Sequence, residues 1–212
     1  MKKLSKGYKK ESQELTKETA QKLIKIKGEA RGVTFETDME FILKEKGEEG
    51  LKMVEKEFEK IGLPIQYKTI KIMNFYPVGL RVISLLAIKR VFNFDDEKIE
   101  EMGFFGTKVS LILKLFLKYF FSIERVFFKE TPRMWKKHYT VGELIPVDLN
   151  EGEKYALLRL ENFILHPLLC VYLGGYFCGV VQMLVRTKKI TYQETKCPFR
   201  GDKYHEFLLK WE

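Results

Sequence analysis

The chain has 212 residues, with 38 Lys and Arg against 29 Asp and Glu, which gives a formal net charge of +9. Hydrophobic residues make up 45% of the sequence. They exclude an intrinsically disordered chain, because that much apolar surface can offset the entropy lost on folding. The three cysteines are too few for a disulfide-stabilised scaffold and are typical of a reducing compartment. We therefore expect a cytoplasmic protein with one main domain.

Residues 1–30 are rich in Lys and Glu, and their few apolar residues follow only a weak helical spacing. This pattern predicts a charged helical arm outside the core, followed by one domain over residues 31–212. No apolar stretch follows the first ten residues, so a secretory signal is not expected.

A series of helices is predicted next. Each has apolar residues at helical spacing, with a capping residue or proline at its start or a glycine at its end. These helices are expected at about 38–46, 48–60, 77–92, 95–102 and 107–129. In the last one the polar residues form a single narrow stripe, which predicts a helix buried over most of its circumference.

The pattern changes after Pro132. Residues 142–149 and 155–160 read as two strands around an Asn150–Gly152 turn, and residues 190–197 and 204–211 read as a second hairpin. Separate blocks of helices and strands favour an α+β fold with an antiparallel sheet.

An uncharged stretch, residues 162–185, separates the two hairpins and is long enough to span a bilayer. It also contains His166, Pro167, Gln182 and three glycines, which lower its transfer to lipid. We therefore predict a buried central helix that begins near Pro167. Gly175 and Gly179 lie four residues apart on one face, which favours close packing on a neighbouring helix.

Four short motifs follow one another in this part of the chain. They are His166-Pro-Leu-Leu-Cys170, Gly175-Tyr176-x-x-Gly179, Tyr192-x-Glu194-x-x-Cys197 and Gly201-Asp202-x-x-His205-x-Phe207. The ordered set resembles the 4-vinyl reductase domain, which shares a ligand-binding fold with haem-nitric-oxide-binding sensors, phenol-sensing activators and TRAPP subunits. The resemblance implies a helical layer packed on a four-stranded antiparallel sheet that encloses an apolar pocket.

The resemblance also implies a metal site. Zinc-bearing phenol sensors join a cysteine of the central helix to Glu-x-x-Cys on one strand and a cysteine on the next, and here Cys170, Glu194 and Cys197 match. The fourth position is His205, whose imidazole is also a zinc ligand, so the set would form a closed structural zinc site. On a regular strand Glu194 and Cys197 would point to opposite faces, so the strand must end or bulge near Lys196. The alternative is that the cysteines are ordinary core residues.

Five residues are candidates for the ligand pocket. Tyr176 and Tyr192 occupy motif positions where the phenol sensors place pocket aromatics. Trp135, His138 and Tyr139 stand at the junction of helix and sheet, where the pocket mouth is expected. The alternative is an aromatic-rich core without a cavity.

Haem is expected to be absent, because the Tyr-x-Ser-x-Arg motif of the nitric-oxide sensors is missing and His166 is expected to cap or pack at a helix start. No phosphate loop or nucleophile elbow indicates an enzyme, and no helix-turn-helix indicates a nucleic-acid partner. We therefore predict a sensor or adaptor that binds a small hydrophobic ligand and acts through a protein partner or as a homodimer. A structural or tethering subunit like the TRAPP relatives, and an enzyme acting on a hydrophobic substrate, are the alternatives.

Overall fold

The computed structural model describes residues 15–109 and 122–212. Helix α1 (Lys17–Ile24) begins at Thr16, whose hydroxyl accepts a hydrogen bond from the Thr19 amide. Its Ala20 and Leu23 side chains are buried, so this part of the expected arm packs on the core instead of lying outside it. Helix α1 packs closely on the helix that contains Gly79. A Cβ on Gly79 would lie 1.8 Å from the Leu23 carbonyl oxygen.

The helices of the first half are α2 (Val33–Lys60), α3 (Val78–Phe92) and α4 (Asp96–Val109). Helix α2 is broken at Gly47, whose φ of 65° and ψ of −168° are not helical, so the predicted stop at this residue is confirmed. Two short strands, β1 (Glu29–Arg31) and β2 (Phe75–Pro77), pair antiparallel beside α2 and α3. They hold the start of the domain against its helical layer.

The long helix predicted for residues 107–129 falls mostly on residues 110–121, which lie outside the described residues. After them come α5 (Ile123–Arg125), a π-helical turn (Val126–Glu130) and α6 (Thr131–His138). The π-helical turn turns Val126, Phe127 and Glu130 inward, where they are buried.

Four strands form the main sheet, as predicted. They are β3 (Glu143–Asn150), β4 (Tyr155–Glu161), β5 (Ile190–Lys196) and β6 (His205–Trp211). All neighbouring strands are antiparallel, and their spatial order is β3-β4-β6-β5. The alternation of buried and partly exposed residues along β4 shows that one face of the sheet meets the core. The α+β fold with a helical layer on a four-stranded antiparallel sheet is therefore confirmed.

Helix α7 (Pro167–Val185) is the predicted uncharged helix. His166 caps it, since its Nδ1 accepts a hydrogen bond from the Leu168 amide at 3.1 Å. The glycine face packs on α4, where a Cβ on Gly175 would lie 2.0 Å from the Glu100 carbonyl oxygen. By length and composition α7 would suit a membrane span, but 56% of its most apolar 18-residue window is buried within the fold. Such burial is typical of a central core helix.

Candidate functional site

Four potential metal ligands come together where α7 meets the second hairpin. Cys170 lies on α7, Glu194 on β5, Cys197 directly after β5 and His205 at the start of β6. One donor atom from each of the four lies within 4.8 Å of the others. The register of β5 against β6 shifts between Glu194 and Lys196. On a regular strand the side chains of Glu194 and Cys197 would lie on opposite faces. The bulge changes this and lets both face the same point.

Hydrogen bonds fix the orientation of His205 within this cluster. Its Nε2 lies 3.0 Å from the Phe163 carbonyl oxygen, and its Nδ1 lies 3.0 Å from a Glu194 carboxylate oxygen and 3.6 Å from the Cys170 sulfur. A ring nitrogen that donates to a carbonyl leaves the other nitrogen directed at a metal, as is common for histidine ligands. The Cys197 amide donates to Asp202 Oδ2 at 2.8 Å, which holds the turn beside the cluster.

The charges of the cluster favour a thiolate next to an imidazolium when no cation is present. The hydrogen bond from Cys170 lowers the pKa of Cys197 to about 6, with burial opposing it and His205 adding to it. Burial acts to lower the pKa of His205, but its bonds to Cys197 and Glu194 outweigh burial and raise it to about 9. One thiolate, one further thiol, an imidazole and a carboxylate are together a donor set for a metal cation.

A cavity of about 110 Å³ lies on another face of α7 and is bordered by α2, the π-helical turn, α6 and the sheet. Its wall is mostly aromatic and aliphatic, with residues that include Val33, Phe127, Leu144, Leu158, Leu173 and Phe177. A water molecule needs about 10–15 Å³ of such volume, and an engineered apolar cavity of about 150 Å³ binds benzene. The cavity is therefore close to the size of one small ring.

Four of the five predicted pocket residues line this cavity: Trp135, His138, Tyr139 and Tyr176. Tyr192 does not. Its ring packs where a side chain on Gly174 would stand, 2.1 Å from the position of a Cβ there, and Gly174 is not among the residues that line the cavity.

Few polar groups face the cavity. The indole N–H of Trp135 has its acceptors outside the cavity, since Nε1 donates to the carbonyl oxygens of Val141 and Gly142 at 3.2 and 3.1 Å. His138 Nδ1 lies 2.8 Å from the Met134 carbonyl oxygen, which leaves Nε2 as the nitrogen not engaged by that bond. Burial lowers the pKa of His138, so the imidazole is neutral near pH 7.

Sequence reasoning missed a buried ion pair beside the cavity. Arg81 of α3 and Asp38 of α2 are both fully buried and are joined by a hydrogen bond from Arg81 Nη1 to Asp38 Oδ2. A single arginine within the apolar run of α3 was the available signal, because an unpaired arginine is almost never fully buried.

No protein-family model matches the sequence, and no curated protein matches it either. Solved H-NOX structures nevertheless share the fold. An H-NOX protein from S. oneidensis in the Fe(II)NO ligation state has a TM-score of 0.65 at 12% identity, covering 86% of this chain and 99% of that one. The Fe(II) unliganded H-NOX protein from K. algicida has a TM-score of 0.60 at 9% identity, covering 86% and 96%. A third structure, concerning heme distortion in the H-NOX family, has a TM-score of 0.58 at 13% identity, covering 86% and 95%.

At these identities the likeness shows the fold alone, and this chain has the fold of the H-NOX structures. The expectation about cofactors was wrong. The chains with this fold are described by their Fe(II) state or by heme, so the absence of one short motif does not exclude haem. A pocket is built by tertiary contacts that a linear motif does not capture. The comparisons give no support to structural zinc.

Proposed function

We propose that the protein is a sensor or adaptor that holds a small apolar ligand in the cavity beside α7. The observation that carries this proposal is the apolar cavity of about 110 Å³ with aromatic residues in its wall. Ligand pockets are concave and mostly apolar, with a few polar groups that fix orientation. The shared sensor fold supports the same function.

Occupancy of the cavity has a direct route to the surface. The π-helical turn and α6 cover the cavity with their inner residues and expose Phe128 and Lys136 on the outside. A ligand that stabilises one packing arrangement of the π-helical turn and α6 increases the population of that arrangement. A protein partner or a second copy of the chain then binds the outer face according to which arrangement is populated.

Benzene and toluene are the probes for this function, and the melting temperature is the readout, since a ligand bound only by the folded state raises it. Val181 is 2% exposed and lines the cavity, so Val181→Trp fills it and removes the shift. Val147 is 37% exposed on β3, so Val147→Trp is the matched control and keeps the shift. If Val181→Trp does not fold, Leu184→Phe at the cavity rim takes its place. Equal shifts in both variants, or none in the wild type, contradict the proposal.

The narrower assignment is to the 4-vinyl reductase branch of the fold, with residues 31–212 as its domain. It is supported by the ordered motifs and by the convergence of Cys170, Glu194, Cys197 and His205. We propose that these four residues bind a metal cation that clamps the second hairpin onto α7. Elemental analysis of protein purified without a histidine tag tests this, and it leaves the identity of the ion to the measurement.

A tethering subunit without an exchangeable ligand remains the alternative from another class. In that case the protein copurifies with a protein partner, and native mass spectrometry shows no small-molecule adduct and no response to benzene. A sensor instead shows an adduct or a benzene-dependent stabilisation of the free chain. The same spectrum reports whether the chain is a homodimer.

Haem is a second candidate ligand, favoured by one specific observation. His138 lies in the cavity wall with Nδ1 bonded to a backbone carbonyl, an arrangement that suits an iron-binding histidine. His138 is therefore the residue that would hold the iron, but a cavity of about 110 Å³ is much smaller than a macrocycle of four pyrrole rings, so haem would bind only if the cavity wall moved outward. Bound haem would supply an iron centre that takes a diatomic gas.

Addition of hemin tests this candidate through the visible absorption spectrum and through the melting temperature of the protein. His138→Ala should remove both changes. His166→Asn is the control, because it also removes a histidine but keeps a helix-capping side chain away from this cavity. Identical spectra for His138→Ala and the wild type would contradict the assignment.

A further inference from the structure

The buried ion pair lies at the centre of a polar cluster inside the helical layer. Ser84 Oγ donates to Asp38 Oδ2 at 2.7 Å, and Tyr67 shares a hydrogen bond of 2.7 Å with Ser84. Two guanidinium nitrogens of Arg81, Nε and Nη2, have no hydrogen-bond partner within residues 15–109 and 122–212. Buried donors nearly always have a hydrogen-bond acceptor, so two donors without one on a fully buried arginine need an explanation.

Arg81 lies behind the cavity wall. Its guanidinium carbon lies 4.4 Å from the centroid of the Tyr172 ring, and Tyr172 and Tyr139 both line the cavity. Burial raises the pKa of Tyr139 to about 12, against the opposing influence of the nearby Arg81 charge. Both phenols therefore stay protonated near neutral pH.

The guanidinium determines which end of each hydroxyl points at the ligand. A positive charge attracts the phenol oxygen and repels the phenol hydrogen, so the O–H of Tyr139 is directed away from Arg81. Tyr172 has a second neighbour in Thr37, whose own hydroxyl donates to the Thr34 carbonyl and so remains an acceptor for Tyr172. Of the two tyrosines beside Arg81, Tyr139 is therefore the donor that remains available to a ligand.

The balance of charge decides what kind of ligand this donor meets. Asp38 already compensates Arg81, and the acidic residue in the wall, Glu130, is paired with Arg133 at 3.0 Å. An anionic ligand would add a buried negative charge without a counter-ion, which is strongly unfavourable. A neutral hydrogen-bond acceptor satisfies the donor without that penalty.

We propose that the cavity selects a neutral molecule with a carbonyl-type oxygen, which accepts a hydrogen bond from Tyr139, and that Arg81 is the positioning residue behind it. The inference rests on the proposed ligand-binding function and names the chemical class of its ligand. A pure hydrocarbon and a carboxylate of the same shape are then the disfavoured ligands.

Three ring compounds of similar size test the selection: cyclohexanone, methylenecyclohexane and cyclohexanecarboxylate. Dissociation constants are measured by titration of ¹⁵N-labelled protein near pH 8, where Asp38 is ionised because its pKa is about 6. Tyr139→Phe should weaken cyclohexanone roughly 2- to 10-fold, the worth of one net hydrogen bond, and leave methylenecyclohexane unchanged. Tyr155→Phe is the matched control, since it removes a phenol hydroxyl on β4 that donates to Asp148 and does not line the cavity.

Replacing the pair, as Asp38→Leu with Arg81→Met, removes the positive charge without leaving a buried unpaired one, so it should lose the same preference while still binding methylenecyclohexane. If this variant does not fold, the two tyrosine variants carry the test alone. The inference is overturned if Tyr139→Phe weakens ketone and hydrocarbon equally, if Tyr155→Phe reproduces its effect, or if the carboxylate binds tightest. If none of the three probes binds the wild type, the proposed function itself fails.

Discussion

The Cys170 sulfur on α7 lies 3.6 Å from His205 Nδ1 on β6, so one buried contact connects the central helix to the last strand. Glu194 and Cys197 complete the group from the neighbouring strand β5 and the residue that follows it. A cation at this point would bind three separate chain segments. Its binding free energy would then contribute directly to the stability of the fold.

The first prediction concerns this cluster. Cys197→Ser should release the bound metal and lower the melting temperature. The lowered pKa of Cys197 favours its thiolate, which is the form that binds a metal. Cys178→Ser is the control, since Cys178 is buried on α7 but lies outside the cluster. Elemental analysis and thermal unfolding are the measurements. Far less than one equivalent of metal in the wild type, or equal content in both variants, would contradict a metal site.

The second prediction concerns the ion pair. Asp38→Ala leaves Arg81 charged and unpaired in the interior, so the free energy of unfolding should fall by about 3–5 kcal/mol. Replacing both residues, as Asp38→Leu with Arg81→Met, should recover most of this loss, because no buried charge remains. Urea unfolding monitored by circular dichroism provides the values.

Glu49 and Lys52 form the reference pair for this comparison. Their carboxylate and ammonium are also in contact, but their side chains are 82% and 61% exposed. Glu49→Ala should therefore leave the free energy of unfolding nearly unchanged. Similar effects of Asp38→Ala and Glu49→Ala would show that the buried pair is not structural.

The third prediction is a pH dependence with a definite sign. Burial raises the pKa of Asp38 from 3.8 to about 6, against the opposing effects of Arg81 and Ser84; Tyr67, Tyr139 and Tyr172 are the other titratable groups near the pair. The folded state therefore keeps a proton that the unfolded chain releases. The contribution of Asp38 is complete below about pH 3.8 and is lost as pH rises through about 6.

Asp38→Asn isolates this effect, because the amide resembles the protonated carboxyl at every pH. The free energy of unfolding of Asp38→Asn relative to the wild type should rise between about pH 4 and 6, by on the order of 2 to 3 kcal/mol, and level off above. Urea unfolding of both proteins across this range is the measurement. A difference independent of pH would mean that Asp38 has an ordinary pKa.

The fourth prediction concerns the packing of α7 on α4. Gly175→Ala would place a methyl group 2.0 Å from the Glu100 carbonyl oxygen, a backbone atom that cannot move away alone. The free energy of unfolding of this variant should be lower than that of the wild type by about 1–3 kcal/mol. Gly152→Ala is the control, since the nearest atom to its Cβ would be Asn150 Oδ1 at 3.4 Å. Equal stability of the two variants would refute close helix packing at Gly175.

Local patterns were sufficient to predict most of the fold. The helix break at Gly47, the start of α7 at Pro167 and the four strands follow from glycine, proline and alternating hydrophobicity, which act over a few residues. The packing of α1 on α3 was not predictable in the same way. It depends on Gly79, a position distant in sequence, where the missing side chain lets the Leu23 backbone approach.

The site was predictable where its residues belong to ordered motifs, as with the four members of the Cys170 cluster, which the structure brings together. Tyr192 was expected in the pocket but packs on Gly174, because its place depends on which side of α7 the strand β5 covers. Arg81 and Asp38 are 43 residues apart in the chain and became visible as a pair only in three dimensions. No local pattern encodes such a contact.

Xenon is the most direct probe of the cavity, because it occupies apolar voids without needing a specific hydrogen bond. A crystal of the protein pressurised with xenon should show a xenon atom enclosed by Leu173, Phe177 and Trp135, within the space of about 110 Å³ beside α7. A space filled by side chains, with xenon bound only elsewhere, would contradict the ligand-binding account.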